Sequence, residues 1–288
     1  MNETPQATLA ITVITAVVTF LAFRDPGLRD RLIFRPRDIL ANQEWHRMFT
    51  SALLHGDVMH FCLNFLSFYS FGSQIELVFG WRPLLFIYLM SILGGSLLSL
   101  VLHRNHDYAA LGASGGVCGV IFASIFLLPG GQIQFWMVPI PIPASVYAIF
   151  FLLASYFGMR SANSNIGHDA HLGGAMVGLF TTLVLYPHAA TGNLKMLGLV
   201  LAVSAAIFVF LYRDPRMALR SALTREAEAP RGDVRYQRYD EARQRTVERE
   251  ELDQLLDRIS AVGFDNLTLA EKERLQELSK NVRGGSGS

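Results

Sequence analysis

The sequence is poor in charge and in cysteine. Charged residues make up 17% of its 288 residues, below the roughly one quarter that is usual in soluble proteins, and the net charge is +1. This balance gives no reason to expect a nucleic-acid partner. The two cysteines, Cys62 and Cys118, lie inside apolar runs and are too few for a disulfide framework. Hydrophobic residues reach 51%, which indicates a membrane protein.

Motifs of several functional classes are also missing. The N-terminus has no basic segment and no Ala-x-Ala site, so the first apolar run is predicted to be a retained span and not a signal peptide. There is no HExxH motif, which a zinc intramembrane protease would show, and no internal symmetry like that of transporters. We therefore expect no cofactor and no metal, with a site formed by His60, His168 and His171 left open as the weaker alternative.

Seven apolar runs are about as long as a bilayer-crossing helix. They occupy residues 7–23, 58–79, 83–102, 111–128, 136–158, 168–186 and 196–212. The fifth run contains Pro139, Pro141 and Pro143, which predict an extended or kinked start. We expect an all-α polytopic membrane protein with a six-helix core over residues 1–187 and a seventh helix over residues 188–212.

Three segments outside these runs are polar. Residues 24–56 alternate arginines with apolar side chains, which predicts a long interfacial loop containing short amphipathic pieces. Residues 213–250 are rich in charge and poor in apolar side chains, so they predict a solvated linker. Residues 284–288 have the composition of an expression linker.

The segment at residues 251–283 predicts a soluble helical hairpin. Its first half repeats leucines at helical spacing and ends at Gly263, a plausible helix cap. Its second half opens with the capping-box pattern Thr268-Leu269-Ala270-Glu271. We expect this tail to serve oligomer contact or a regulatory partner, and the side of the membrane that it occupies stays open.

The stretch Gly112-Ala113-Ser114-Gly115-Gly116 stands at the start of the fourth apolar run. Its glycines would let a substrate and a second backbone approach the Ser114 hydroxyl. The start of a helix also offers unpaired N–H groups and partial positive charge, which suit an oxyanion. Taken alone, the stretch is more typical of a small-residue helix-packing patch.

Polar residues on two other spans favour the catalytic interpretation of Ser114 over a packing patch. Such groups are costly in lipid, so their presence in a span needs a reason. His60 and Asn64 share one face of the second span and, with the Ser114 amide, could form an oxyanion site. His171 opens the sixth span, whose glycines predict close packing that could bring it to Ser114 as a base. Asp169 should point away from His171, which favours a Ser–His dyad. For any one of these residues a cross-helix hydrogen bond is the simpler interpretation.

At these residues the sequence resembles the rhomboid family of intramembrane serine proteases. The resemblance consists of three motifs, His55-x4-His60-x3-Asn64, Gly112-Ala113-Ser114-Gly115 and Ala170-His171-x2-Gly174-x3-Gly178, and a first-loop signature at Glu44-Trp45-His46-Arg47. One departure is Cys118, which stands where many members have an aromatic residue packed on the catalytic histidine.

The resemblance implies a serine endopeptidase that cuts peptide bonds in or next to transmembrane segments of membrane-protein substrates. It implies Ser114 as nucleophile, His171 as base, and Asn64 and His60 as oxyanion residues. The supporting residues are His55, Gly112, Gly115, Gly174 and Gly178. The expected place is the lipid bilayer of a bacterial cytoplasmic (inner) membrane. The alternative is a catalytically weak or inactive rhomboid-like protein that binds membrane clients.

Overall fold

The computed structural model describes residues 4–105, 107–128, 132–135, 138–160, 167–192 and 194–213, with short pieces between 251 and 278. The predicted linker from residue 214 onward and residues 284–288 lie outside the described residues. The chain divides into two units. One unit comprises residues 1–24 and 31–228, and the other comprises residues 25–30 and 229–288.

The described residues form helices apart from one short strand pair, which agrees with the predicted all-α fold class; the strand pair itself was not predicted. The elements in chain order are α1 (Gln6–Arg24), α2 (Pro26–Leu32), α3 (Pro36–Asn42), α4 (Arg47–Thr50), a 3₁₀ turn (Ser51–Leu53), α5 (Val58–Phe79), α6 (Trp81–His103), α7 (Ser114–Leu127), β1 (Gln132–Phe135), β2 (Val138–Pro143), α8 (Ala144–Arg160), α9 (His168–Leu185), α10 (His188–Thr191) and α11 (Leu194–Arg213). Each of the seven predicted spans contains most of one long helix, and the fifth also contains strand β2. The short helices α2 to α4 lie in the predicted interfacial loop.

The fifth span begins later than predicted. A helix was expected from Trp136, but residues 138–143 form strand β2, which pairs antiparallel with β1, and α8 begins at Ala144. The three prolines of β2 explain the delay, because proline removes a backbone donor and disfavours helical backbone at the preceding residue. The extended start predicted for this run is therefore confirmed, and the helix is 17 residues long.

Length and hydropathy single out a subset of the described helices as membrane-crossing. By composition α1 and α6 are long and apolar enough to cross a bilayer, and shorter apolar helical stretches lie in α7, α8 and α11. The helices α5 and α9 carry more polar side chains, and they are the ones that bear the predicted histidines and Asn64. Polar groups in such helices usually face other helices and not lipid, so we expect the polar side chains of α5 and α9 to face the interior of the bundle.

Helix α9 packs between α6 and α7 with glycine at the points of closest approach. A Cβ added at Gly174 would lie 2.0 Å from the carbonyl oxygen of Gly115, and one at Gly178 would lie 2.4 Å from Gly119 Cα. On the other side, a Cβ at Gly173 would lie 2.6 Å from the carbonyl oxygen of Gly94. These neighbours are backbone atoms, which cannot turn aside as a flexible side chain would. The spacing of the three helices therefore depends on the missing side chains.

A carboxylate fixes helix α1 against helix α5. Glu76, near the end of α5, accepts hydrogen bonds from the backbone N–H groups of Ala7 and Thr8 at 2.7 and 2.8 Å and from the Thr8 hydroxyl at 2.7 Å. The first turn of α1 has no intrahelical acceptors for its N–H groups, and Glu76 supplies them. Helices α1 and α5 therefore run antiparallel, and this acidic residue within a predicted span has a structural role.

The loop before α5 is attached to the bundle by buried polar contacts. Arg47 is only 5% exposed, donates from Nη1 to the carbonyl oxygen of Ile33 at 2.9 Å, and forms an ion pair with Glu44. The Ser96 hydroxyl of α6 donates to the carbonyl oxygen of Met48 at 2.7 Å. The loop thus lies against α6 with its buried arginine satisfied by backbone and carboxylate oxygens.

The second unit shows both predicted helix caps. The Thr268 amide and hydroxyl donate to Glu271 Oε2 at 2.8 and 2.7 Å, and the Glu271 amide bonds back to the hydroxyl at 3.3 Å. Gly263 has φ +82° and its amide donates to the carbonyl oxygen of Ile259 at 2.8 Å, which is a helix C-terminal cap. Ion pairs from Arg274 to Glu251 and from Arg258 to Glu271 join the residues on either side of the two caps.

The glycine contacts lead to a stability prediction. Gly174→Ala places a Cβ against the backbone of α7 and should destabilise the fold by about 1–3 kcal/mol, the usual cost of overpacking. We expect the melting temperature in detergent to fall by several degrees.

Gly198→Ala in α11 is the matched control, because no atom lies within 4 Å of the added Cβ. This variant should keep or slightly raise the melting temperature, since alanine is the better helix former. Equal melting temperatures of the Gly174→Ala and Gly198→Ala variants would contradict the close packing of α7 and α9.

Candidate active site

A tight turn delivers Ser114 to the first position of α7. Gly112 has φ +133°, a conformation that side chains other than glycine rarely adopt, and its amide donates to the carbonyl oxygen of Ser51 at 3.0 Å. Ala113 follows, and the helix begins at Ser114. The backbone N–H groups of this first turn have no intrahelical acceptors, so the serine hydroxyl stands beside a natural anion-binding position.

The structure brings Ser114 and His171 together. His171 Nε2 lies 2.7 Å from Ser114 Oγ, although the two residues are 57 positions apart in the chain. His171 lies in the first turn of α9, and the preceding carbonyl group, that of Ala170, faces α7: a Cβ at Gly115 would lie 3.1 Å from its oxygen. An imidazole nitrogen at this distance can accept the hydroxyl proton, which is the arrangement that activates a serine nucleophile.

Asp169 does not join this pair. Its carboxylate is 3.1 Å from His103 Nε2 at the end of α6, and the residue is 4% exposed. None of the described carboxylates hydrogen-bonds to His171. The prediction that Asp169 points away from the histidine that follows it is confirmed, and the described geometry is that of a serine–histidine pair.

The two predicted oxyanion residues lie on the α5 side of the serine. The His60 ring borders Gly112, since a Cβ added at Gly112 would lie 2.9 Å from His60 Cε1 and 3.6 Å from Ser114 Oγ. Asn64 is 8% exposed, and its Nδ2 donates to the carbonyl oxygen of His60 at 2.9 Å. The amide NH₂ has two hydrogens, so this bond leaves one for another acceptor. Asn64 also lines a cavity of about 20 Å³ together with Ala113, the residue before the serine.

His55 supports His60 from behind. The two rings meet edge to face with centroids 5.0 Å apart, and His55 is 2% exposed. Its Nδ1 lies 3.1 Å from the Thr19 hydroxyl, which itself donates to the carbonyl oxygen of Leu53 at 2.8 Å. Because the hydroxyl has a single hydrogen, His55 Nδ1–H must be the donor to Thr19. His55 thus has a defined tautomer and a position fixed by α1.

The alternative metal site finds little support in the geometry. His168 and His171 are close, with ring centroids 6.0 Å apart, and His60 approaches the same region from α5. Among the described residues, however, no group of three or more histidine, cysteine or acidic side chains is placed to hold a metal ion. The Nε2 atom of His171 instead faces the serine hydroxyl.

Sequence analysis missed one residue that contacts the predicted base. Cys118 is buried, and the aromatic ring against His171 comes from Phe151 of α8, with centroids 6.3 Å apart and planes inclined by 27°. The Phe122 ring of α7 meets Phe151 edge to face at 5.4 Å. The only sequence signal was the missing aromatic at Cys118, and it did not indicate which helix would replace it.

Comparisons with known proteins cover the same segment. A family model described as Rhomboid domain matches residues 42–188, more than half of the chain. A second, described as Family of unknown function (DUF6576), matches residues 237–281, which include most of the predicted hairpin.

Three relatives illustrate the range of similar proteins. RHOMBOID-like protein 12, mitochondrial, of Arabidopsis thaliana is 35% identical over 46% of this chain and 44% of its own length. Rhomboid protease GluP of Bacillus subtilis is 29% identical over 62% of this chain and 33% of its own length. Rhomboid protease AarA of Providencia stuartii is 27% identical over 59% of this chain and 66% of its own length. The chain thus spans less than half of the first two relatives. With its helical fold and the match across residues 42–188, it is an integral membrane protein and belongs to the rhomboid family.

Proposed function

We propose that this protein is an intramembrane serine endopeptidase that hydrolyses peptide bonds in or next to the transmembrane segments of membrane-protein substrates. The observation that carries the proposal is the 2.7 Å contact between Ser114 Oγ and His171 Nε2 at adjoining helix starts. The names of two relatives, Rhomboid protease GluP and Rhomboid protease AarA, support the same reaction class.

The reaction would proceed through an acyl-enzyme. His171 Nε2 takes the hydroxyl proton as Ser114 Oγ attacks the carbonyl carbon of the scissile bond. The carbonyl oxygen becomes an oxyanion, which the Ser114 amide, the second N–H of Asn64 and the His60 ring would stabilise. When the intermediate collapses, the C–N bond breaks and His171 returns the proton to the leaving amine. Water, deprotonated by His171, then attacks the acyl carbon of the ester; the bond from that carbon to Ser114 Oγ breaks, and His171 returns the proton to Ser114 Oγ.

Phe151 would orient the base in this scheme. Without a carboxylate partner, the His171 ring is held by the serine at Nε2 and by packing on its face. Offset stacking of aromatic rings at this distance is favourable and restricts the rotation of the ring. Because Phe151 belongs to α8 and Ser114 to α7, the orientation of the base would depend on where α8 lies.

A second candidate function is the binding of membrane clients without cleavage. Both Ser114 and His171 are present and in contact, and this observation favours the protease. The substrates would be transmembrane proteins, and the membrane a bacterial cytoplasmic membrane. The relatives come from bacteria and from mitochondria, so cell fractionation tests that last point.

The tail segment would serve a partner, an oligomer contact or regulation. Helix α11 runs parallel to α8, since Tyr156 and Phe210, both near helix ends, have ring centroids 6.4 Å apart. The end of α8 leads to the start of α9 and therefore lies at the end of the bundle that holds Ser114. The predicted linker from residue 213 starts at that same end.

The first functional prediction concerns the nucleophile and the base. Ser114→Ala and His171→Ala should each abolish cleavage of a short transmembrane substrate in detergent, and the double variant should be no worse than either single variant. A fluorophosphonate should label the wild-type protein at Ser114. A folded wild-type protein that neither cleaves nor is labelled would favour the client-binding alternative, and substantial cleavage by Ser114→Ala would rule out the serine mechanism.

The second prediction concerns Asn64. Loss of one oxyanion donor typically lowers kcat by about a hundred-fold or more, so Asn64→Ala should show a fall of that order. The substrate KM should change little, because the negative charge develops only in the transition state. A raised KM with unchanged kcat would instead make Asn64 a substrate-contact residue.

The third prediction concerns Phe151. Phe151→Leu removes the aromatic face against His171 and should lower kcat by roughly ten-fold, since small errors in the placement of a catalytic group are costly. The matched control is Phe150→Leu, because the neighbouring Phe150 is 68% exposed. An equal fall in kcat in both variants would show that removing any aromatic side chain from α8 lowers the rate, and it would contradict the orienting role of Phe151.

A further inference from the structure

Outside the serine–histidine pair, the structure holds a second polar pair at the same end of the bundle. His103 is the last residue of α6, and Asp169 is the second residue of α9. Their side chains meet at 3.1 Å between Nε2 and Oδ2, with side-chain exposures of 21% and 6%. A carboxylate this buried needs hydrogen-bond donors, and His103 supplies one from the end of α6, so the contact restrains both helix ends.

An aromatic chain extends this pair to the loop before the nucleophile. The Tyr108 ring stacks flat on the His103 ring, with centroids 3.7 Å apart and planes inclined by 1°. The Phe34 ring meets Tyr108 edge to face at 6.3 Å. Phe34 also exchanges two backbone hydrogen bonds of 3.0 Å with Ala110. The segment between α6 and α7 is therefore held at Tyr108 and at Ala110, a few residues before Ser114.

The pair lies close in sequence to both reacting side chains. Asp169 precedes His171 by two residues within the first turn of α9. The carbonyl group of Ala170, which lies between them in the chain, fits between Gly95 and Gly115. A Cβ added at Gly95 would lie 2.6 Å from the Ala170 oxygen, and one added at Gly115 would lie 3.1 Å from it. A shift of the start of α9 would thus move His171 away from Ser114 and Asp169 away from His103.

We propose that the His103–Asp169 pair, with Tyr108 stacked on it, is a positioning device that sets the start of α9 against the loop that carries Ser114. The inference rests on the proposed function. Neither residue touches Ser114 or His171 in the described geometry, so both act through the backbone and are positioning residues. Such a device affects the geometry of the serine–histidine pair, and catalysis is sensitive to displacements of about 1 Å.

The test is a double-variant cycle on the full chain, with kcat and KM measured on a transmembrane substrate in detergent. His103→Ala and Asp169→Ala should each lower kcat by about ten-fold with KM changed less than about two-fold, and the double variant should match the single ones. The control is Arg104→Ala, at an exposed position directly after His103, which should keep both constants. Additive losses, or single variants with wild-type kcat, would overturn the proposal.

Conservative variants keep the proposal open to refutation if an alanine variant fails to fold. His103→Gln retains an N–H donor for Asp169, whereas His103→Leu has a similar size without one. The glutamine variant should keep most of the wild-type kcat, and the leucine variant should lose it. Equal kcat in the two would remove the role of the hydrogen bond.

The outcomes also separate this proposal from the proposed function. If the wild-type protein is neither labelled at Ser114 nor able to cleave the substrate, the proposed function fails and the positioning role fails with it. If the wild-type protein is active and the His103 and Asp169 variants keep its kcat, only the positioning role fails.

Discussion

The close approach of three helix backbones is the constraint on which the rest of this structure depends. In a bilayer, apolar side chains gain little by leaving lipid for protein, so helix association relies on tight packing and polar contacts. Here α9 meets α6 and α7 through glycines on all three helices, and backbone oxygens occupy the space where side chains would otherwise stand. This contact places the first turn of α9 beside the first turn of α7, and so His171 beside Ser114.

Three groups of polar contacts within the bundle shape the site. Glu76 holds the start of α1, Thr19 and His55 hold His60, and Asp169 holds His103. A buried polar group without a partner is costly, so each contact also fixes the helix that bears it. Asp169 in particular is used at α6, which explains why a carboxylate only two residues from the histidine does not complete a triad.

The proposed chemistry needs few residues because the scaffold supplies the rest. The turn at Gly112 and the helix start at Ser114 set the hydroxyl beside unpaired amides, and α5 brings His60 and Asn64 to the same place. Phe151 of α8 then packs against the ring of His171, the proposed base.

The sequence by itself determined the helices, their approximate ends and the residues of the candidate site. Long apolar runs, prolines and capping patterns act locally, and they predicted the seven long helices, the extended start of the fifth run and the caps at Gly263 and Thr268. Glycine spacing further indicated that α7 and α9 would touch. Only the tertiary structure decided what covers the face of His171 and what partners Asp169. Phe151 and His103 lie on other helices, and no local pattern in the chain encodes which side chains meet when those helices pack.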